Sequence, residues 1–254
     1  MALRDAVYGA AVGDALGVPF EFKERGSFSC TGMVGFGTHY QPAGTWSDDT
    51  ALLLATCASI KAQGGRVDAA DIRLNFEDWF YDGAFAIDGN VFDVGNATSA
   101  AITRGIGCGS VNSNGNGSLM RIAPLAYTHA DDDSIRAVSA ITHAHQISTD
   151  ACVRFVHILR NPDLAAQAEL PEDIEHIPSD GFVAHTLQAA LWCFTHTSTY
   201  RDCVLAAVNM GSDTDTTACI AGTLAGEVYG YDAIPDEWLS TLRGKDIIES
   251  CLFI

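Results

Sequence analysis

The sequence predicts an all-α fold in a single domain spanning residues 1–254, and three observations carry that expectation. Apolar residues recur at i, i+3 and i+4 through segment after segment. Glycines such as Gly64 and Gly83 close those runs, as helix stops do. Convincing alternation of apolar and polar residues, the mark of a half-buried strand, is scarce.

The elements follow in chain order. Residues 1–17, "MALRDAVYGAAVGDALG", carry Arg4, Asp5 and Asp14, which interrupt any signal-peptide core. The small residues of "GAAVGDALG" (9–17) point to close packing against another backbone, and Pro19 ends the helix. "FSCTGMVGF" (28–36) is the best candidate strand. "TALLLATCASIKAQG" and "DAADIRLNFEDWFYDG" read as helices ending at Gly64 and Gly83. "DDDSIRAVSAITHAH", "STDACVRFVHILR", "GFVAHTLQAALWCF" and "YRDCVLAAVNMG" repeat the helical pattern. Between them, residues 161–181 form a polar, proline-marked connection that is partly helical. The last helix holds Ala218, Gly222 and Gly226 at every fourth position, so they share one face and let a neighbour approach.

Composition bounds the function. A formal net charge of −18, from 32 acids and 14 bases, argues against general nucleic-acid binding, which needs a basic face. Most of these acids serve solubility, and some can gather cations. The eight cysteines contain no C-x-x-C pair, and several sit inside apolar helical runs. They read as buried thiols in a reducing compartment. No apolar stretch reaches membrane-spanning length, so a soluble, cytoplasmic protein is expected.

Two clusters of side-chain oxygen precede apolar helices. "SDTDTT" (212–217) is, taken alone, a capping signal, because a helix N-terminus has unpaired N–H groups. "SDDT" (47–50) repeats the device: Ser47 can cap, and Asp48 and Asp49 complement the helix dipole. A cap needs only one such group, however, and two adjacent carboxylates repel. Four carboxylates in proximity are unfavourable without cations. Hard divalent ions accept this ligand set, so the early and late clusters together could hold two of them. Asp14 reads as a helix-interior acid bonded locally, and Glu21 lies in the loop beyond Pro19.

"GDALGVPFEF" (13–22), "GTWSDDTALLLA", "GNGSLMRIAPLA" (115–126), "ITHAHQ" (141–146) and "GSDTDTTACIAGTLAGEVYG" (211–230) resemble, as an ordered set, the ADP-ribosylglycohydrolase family. The resemblance implies a compact orthogonal helical domain with two Mg²⁺ or Mn²⁺ ions in a cleft. One ion would be held by Ser47, Asp48, Asp49 and Asp215, the other by Asp213, Asp215 and Thr216. Asn116, Gly117 and Ser118 would lie near the ribose and phosphates of ADP-ribose, and His143 would contact the diphosphate. Departures from the family pattern are Ser212 for a glycine, Thr217 for an apolar residue and Gln146 where proline is frequent.

The expected reaction is hydrolysis of the glycosidic bond joining ADP-ribose to a protein side chain, arginine first. Cleavage passes through a state of oxocarbenium character that carboxylates stabilise. Glu21, Asp48 and Asp49 are the candidates for catalysis, and the general base stays open among them. The alternatives are a catalytically silent ADP-ribose binder, a plain cation-binding protein, or a glycohydrolase acting on ADP-ribosyl-serine, nucleic acid or a small molecule. Residues 22–46 are expected to overhang the cleft and decide the acceptor.

Overall fold

In the computed structural model, which describes residues 2–253, the chain runs through eleven α-helices. They are α1 (Leu3–Gly17), α2 (Asp48–Ala62), α3 (Ala69–Asp82), α4 (Asn96–Arg104), α5 (Asp132–Ser139) and α6 (Gln146–Arg160). There follow α7 (Val183–Thr195), α8 (Tyr200–Val208), α9 (Thr214–Tyr229), α10 (Asp236–Thr241) and α11 (Lys245–Cys251). The described residues form no sheet, only two isolated bridges, Cys108 with His143 and Gly115 with Phe182. The strand expected at 28–36 is therefore corrected: that stretch is bends and coil. Its backbone is tied instead to helices, as where Asn209 brackets the N–H and C=O of Cys30.

Helices α1 and α9 form the centre of the molecule, and their glycines explain why. A Cβ on Gly13 would stand 2.1 Å from the Ala218 carbonyl oxygen, and one on Gly222 2.3 Å from that of Gly9. The stripes of small residues at both ends of the sequence thus face each other. This contact brings the first and last parts of the chain together. It is completed at Gly17, whose carbonyl accepts from the Thr214 hydroxyl at 2.8 Å.

Other boundaries follow local chemistry. Asp68 caps α3 by accepting from the N–H groups of Ala70 and Asp71, and Gly83 ends it in the left-handed region at φ 73°. The helix expected across 131–145 stops at Ser139. Beyond it, Cys108 donates to the Thr142 carbonyl and accepts from the Ala144 N–H, so the THAH segment becomes a turn. Gln146 is the first residue of α6, a position where proline also fits, which accounts for that departure. The connection at 161–181 holds two short 3₁₀ turns, Pro162–Gln167 and Ile174–His176. All eight cysteines are free, seven of them buried. Among the described residues no helix is long and apolar enough to cross a membrane.

Candidate active site

The early acidic cluster is oriented by Asp14. Its carboxylate, fully buried inside α1, accepts from the N–H groups of Ser47 and Thr50 and from the Thr50 hydroxyl at 2.6 Å. Asp14 therefore caps α2 from across the core, in place of the local bond expected from sequence. With capping supplied by Asp14 and by the Ser47 hydroxyl, the side chains of Asp48 and Asp49 are free for another use. Ser47 donates its hydroxyl to Asp49 Oδ2 at 3.1 Å, and Thr216 of α9 donates to the same oxygen at 3.3 Å. Residues 47–49 and 213–216 thus meet.

In the early cluster Ser47 does cap α2, its hydroxyl accepting from the Asp49 N–H at 3.3 Å, but the late cluster supplies no such cap. Asp213 stands at the N-cap of α9, yet its side chain makes no capping bond. It accepts instead from Asn116 Nδ2 at 2.6 Å, which also donates to the Thr186 hydroxyl. Three carboxylate oxygens, Asp49 Oδ1, Asp213 Oδ1 and Asp215 Oδ2, are buried with no hydrogen-bond partner. Buried anionic oxygen without a donor is costly, and a bound cation removes that cost.

Glu21 reaches the cluster through a strained connection. Phe22 and Ser212 both occupy the left-handed region, at φ 63° and 61°, and reciprocal backbone bonds of 2.7 Å lock them (Phe22 N–H to Ser212, Ser212 N–H to Lys23). Ser212 thus holds a conformation that favours the glycine usual in the family, and the loop bearing Glu21 is pinned to the start of α9. Thr217, the other departure, is buried with its hydroxyl unpartnered. Glu21 bonds His39, whose Nε2 lies 3.8 Å from Asp93 Oδ1. Glu21, His39, Asp93 and Asp215 each offer one ligand atom, all within 4.8 Å of one another, a set that can hold a metal ion.

His39 and Asp93 were not legible as site residues. His39 sits inside the 22–46 segment expected to overhang the cleft, but one histidine among turn residues carries no spacing signal. Asp93 lies in a glycine-flanked loop at φ 58°, far from any acidic pair in sequence.

These groups open on a cleft of about 710 Å³. Glu21, Asp48, Asp49, Asp93, Asp213 and Thr216 line one part of it; Asn116, Gly117, His143 and, from α4, residues 96–98, 100 and 104 line another. Ser47 and Asp215 lie behind this lining. Ser118 departs from expectation: its hydroxyl is fully buried between Ser139 and Cys152 and does not face the cleft.

Burial dominates the electrostatics of Glu21, Asp48, Asp49, Asp213 and Asp215 and pushes their carboxyls upward. The Asp48 carboxyl lies well above its ordinary value through burial, then through the charge of Asp49. Asp49 and Asp215 rise well above theirs for the same reason, with Asp14 and Glu21 the respective first neighbours. Asp213 also rises through burial, which the donor on Asn116 opposes. Glu21 is pushed to about 7, by burial first, against the hydrogen bond from His39. The unpartnered oxygens and the hard donor set fit divalent cations.

A family model described as ADP-ribosylglycohydrolase matches residues 2–176 and 157–252. The ADP-ribosylarginine hydrolase Tri1 of Pseudomonas putida (strain GB-1) is 31% identical over 280 residues, covering 97% of this chain and 75% of its own length. The ADP-ribosyl-[dinitrogen reductase] glycohydrolase of Rhodospirillum rubrum is 33% identical over 271 residues, covering 94% and 90%. A solved structure of an ADP-ribosylglycohydrolase-related protein complex superposes with a TM-score of 0.82 at 30% identity, over 98% of this chain and 94% of that one.

Proposed function

This chain belongs to the ADP-ribosylglycohydrolase family, and on that premise we propose that it hydrolyses the glycosidic bond between ADP-ribose and a modified side chain, with arginine the preferred acceptor. The observation that carries the reading is the meeting of buried, unpartnered carboxylate oxygens from residues 49, 213 and 215 at the head of the cleft. Ser47, Asp48, Asp49, Asp213, Asp215 and Thr216 would hold two Mg²⁺ or Mn²⁺ ions. When bound, these ions orient the ribose hydroxyls and supply Lewis acidity.

The chain's own residues do the rest. Glu21 lines the cleft beside these residues and is suited to take a proton from the attacking water, and His39 fixes its orientation. Asp48 lies on the cleft wall where positive charge develops on the ribose, and its carboxylate stabilises that charge. Asn116, held by Asp213 and Thr186, presents a fixed backbone edge to the substrate, and Gly117 leaves room for the phosphates beside His143. Water adds to the anomeric carbon as the carbon–nitrogen bond breaks, the guanidino nitrogen gains a proton, and free ADP-ribose and unmodified arginine result.

The test is release of free ADP-ribose from a panel of ADP-ribosyl-arginine, ADP-ribosyl-serine and ADP-ribosylated nucleic-acid substrates, with Mg²⁺, with Mn²⁺ and with EDTA. The expected result is release from the arginine substrate that EDTA abolishes. Binding of ADP-ribose with no release from any substrate would make the chain a silent binder and refute the reading.

A further inference from the structure

We propose that Arg121, which does not line the cleft, acts through Thr142 to fix His143 as the Nε2–H tautomer, a neutral donor aimed at the diphosphate. The ligand in this inference rests on the function proposed above; the tautomer does not.

Arg121 ends the sequence GNGSLMR and is fully buried. Its guanidinium lies 4.4 Å from the Phe76 ring centroid, donates from Nη1 to the Val138 carbonyl, and leaves Nε unpartnered. No carboxylate pairs with it among the described residues, and no acid is among the groups that move its pKa, which burial lowers to about 10. It is therefore a charged and uncompensated group at neutral pH, and such a group is expensive to keep in a core. Retaining it calls for a use.

The hydrogen bonds show the use. A guanidinium only donates. Arg121 Nη2 donates to Thr142 Oγ1 at 2.7 Å, and Thr142 Oγ1 lies 2.8 Å from His143 Nδ1. The threonine hydroxyl has one proton and, among the described residues, no other acceptor for it. It donates to Nδ1, so the ring proton sits on Nε2. That atom has no protein partner among the described residues, and His143 lines the cleft. A Cβ on Gly115 would lie 3.4 Å from Nε2 and one on Gly117 2.9 Å from Cε1, so the two glycines leave the ring edge open. Burial first, and the Arg121 charge second, push the His143 imidazole down to about 3, so it stays neutral through the physiological range.

A neutral N–H with a fixed cation two hydrogen bonds behind it suits an anionic oxygen. Nearly all other charges on the cleft wall are carboxylates gathered around Glu21 and Asp48, which repel phosphate. Arg104, at the rim, is exposed and solvated. The Arg121 relay thus gives the cleft a polarity, metal-seeking at one end and phosphate-seeking at the other. Arg121 and Thr142 are positioning residues.

The experiment uses the whole chain labelled with ¹⁵N-histidine. The wild type should show His143 with protonated Nε2 and bare Nδ1, unchanged between pH 5 and 8. Thr142→Val keeps Arg121 and the approximate side-chain volume but removes the relay. It should mix the two tautomers and weaken ADP-ribose binding about 2-fold, since only the Nε2–H fraction donates to the ligand, while adenosine binding stays unchanged. Arg121→Lys, which can still donate to Thr142, should retain the tautomer and lose less affinity. A wild-type His143 protonated at Nδ1, equal loss of adenosine and ADP-ribose binding in Thr142→Val, or no ADP-ribose binding by the wild type overturns the inference. ADP-ribose bound with the expected tautomer but never released from a substrate overturns the proposed hydrolysis alone.

Discussion

The buried carboxylates predict an inverted pH dependence of stability in the cation-free protein. The perturbation is EDTA followed by titration from pH 5 to 8. Glu21 moves from 4.5 in the unfolded chain to about 7 in the fold. At about 1.4 kcal/mol per pH unit, its ionisation costs the fold about 3 kcal/mol once complete. Because the folded value is the higher one, folding favours the protonated form. Stability is whole below about 4.5 and is lost as pH rises through about 7. Asp48, Asp49 and Asp215, raised for the same reason, push in the same direction. For a chain of this size 3 kcal/mol corresponds to roughly 6–12 °C in melting temperature. The assay is thermal unfolding by circular dichroism at high KCl, which screens the general repulsion of a chain of net charge −18. Mg²⁺ or Mn²⁺ should restore the loss, most strongly at pH 8. A melting temperature that stays flat or rises from pH 5 to 8 under EDTA would refute the electrostatic reasoning, as would an equal slope in Asp215→Asn.

Four substitutions extend the test. Asp215→Asn should abolish turnover and raise the melting temperature of the EDTA-treated protein at pH 8, since it removes an uncompensated buried charge worth roughly 1–4 kcal/mol; unfolding curves and ADP-ribose release measured on one preparation check both halves. Gly13→Ala gains about 1 kcal/mol of helix propensity but puts a methyl 2.1 Å from the Ala218 carbonyl oxygen, so a net loss of roughly 1–3 kcal/mol in urea unfolding and weaker cation affinity by calorimetry are expected. Asp14→Asn turns an amide toward three donors and should cost roughly 1–3 kcal/mol, with loss of activity at saturating Mg²⁺. His39→Gln weakens a contact that lowers the Glu21 pKa, so the acid limb of the kcat/KM profile should move to higher pH.

Much of the fold was legible because its signals are local. Gly64, Gly83 and the repeated i, i+4 apolar positions mark helix ends and faces without reference to the rest of the chain. The small-residue stripes at 9–17 and 218–226 announced close approach, and α1 and α9 supply it to each other. The oxygen clusters were legible as clusters, but their role turned on a residue that sequence reading left to local bonding. Asp14 shares the capping of α2 with Ser47 from 33 and 36 residues away, a relation no spacing rule reveals. The strand expected at 28–36 failed because its alternation reflects a loop that packs Phe28 against Phe20 at 4.7 Å and ties Cys30 to Asn209, with no partner strand alongside. Ser118 belongs to a legible motif, yet the 3₁₀ turn Asn116–Ser118 sends successive side chains in different directions. Asn116 reaches the cleft while the Ser118 hydroxyl goes to the core.

The site concentrates what folding ordinarily avoids. Asp14, Asp48, Asp49, Asp213 and Asp215 are all buried; Phe22, Asp93 and Ser212 hold left-handed backbone around them. Each feature costs on the order of 1–3 kcal/mol, and the chain sets against it the close glycine-to-backbone seam of α1 and α9. That seam explains why the strain does not relax. Spreading the carboxylates would require α9 to move off α1, and the 2.8 Å bond from Thr214 to the Gly17 carbonyl sits at the very turn that delivers Asp213 and Asp215. A looser seam would give a more stable cation-free protein whose ligand oxygens no longer converge. Rigidity at the seam and instability in the cleft are therefore one design, and substitutions that relieve the second without touching the first should stabilise the chain at the expense of its chemistry.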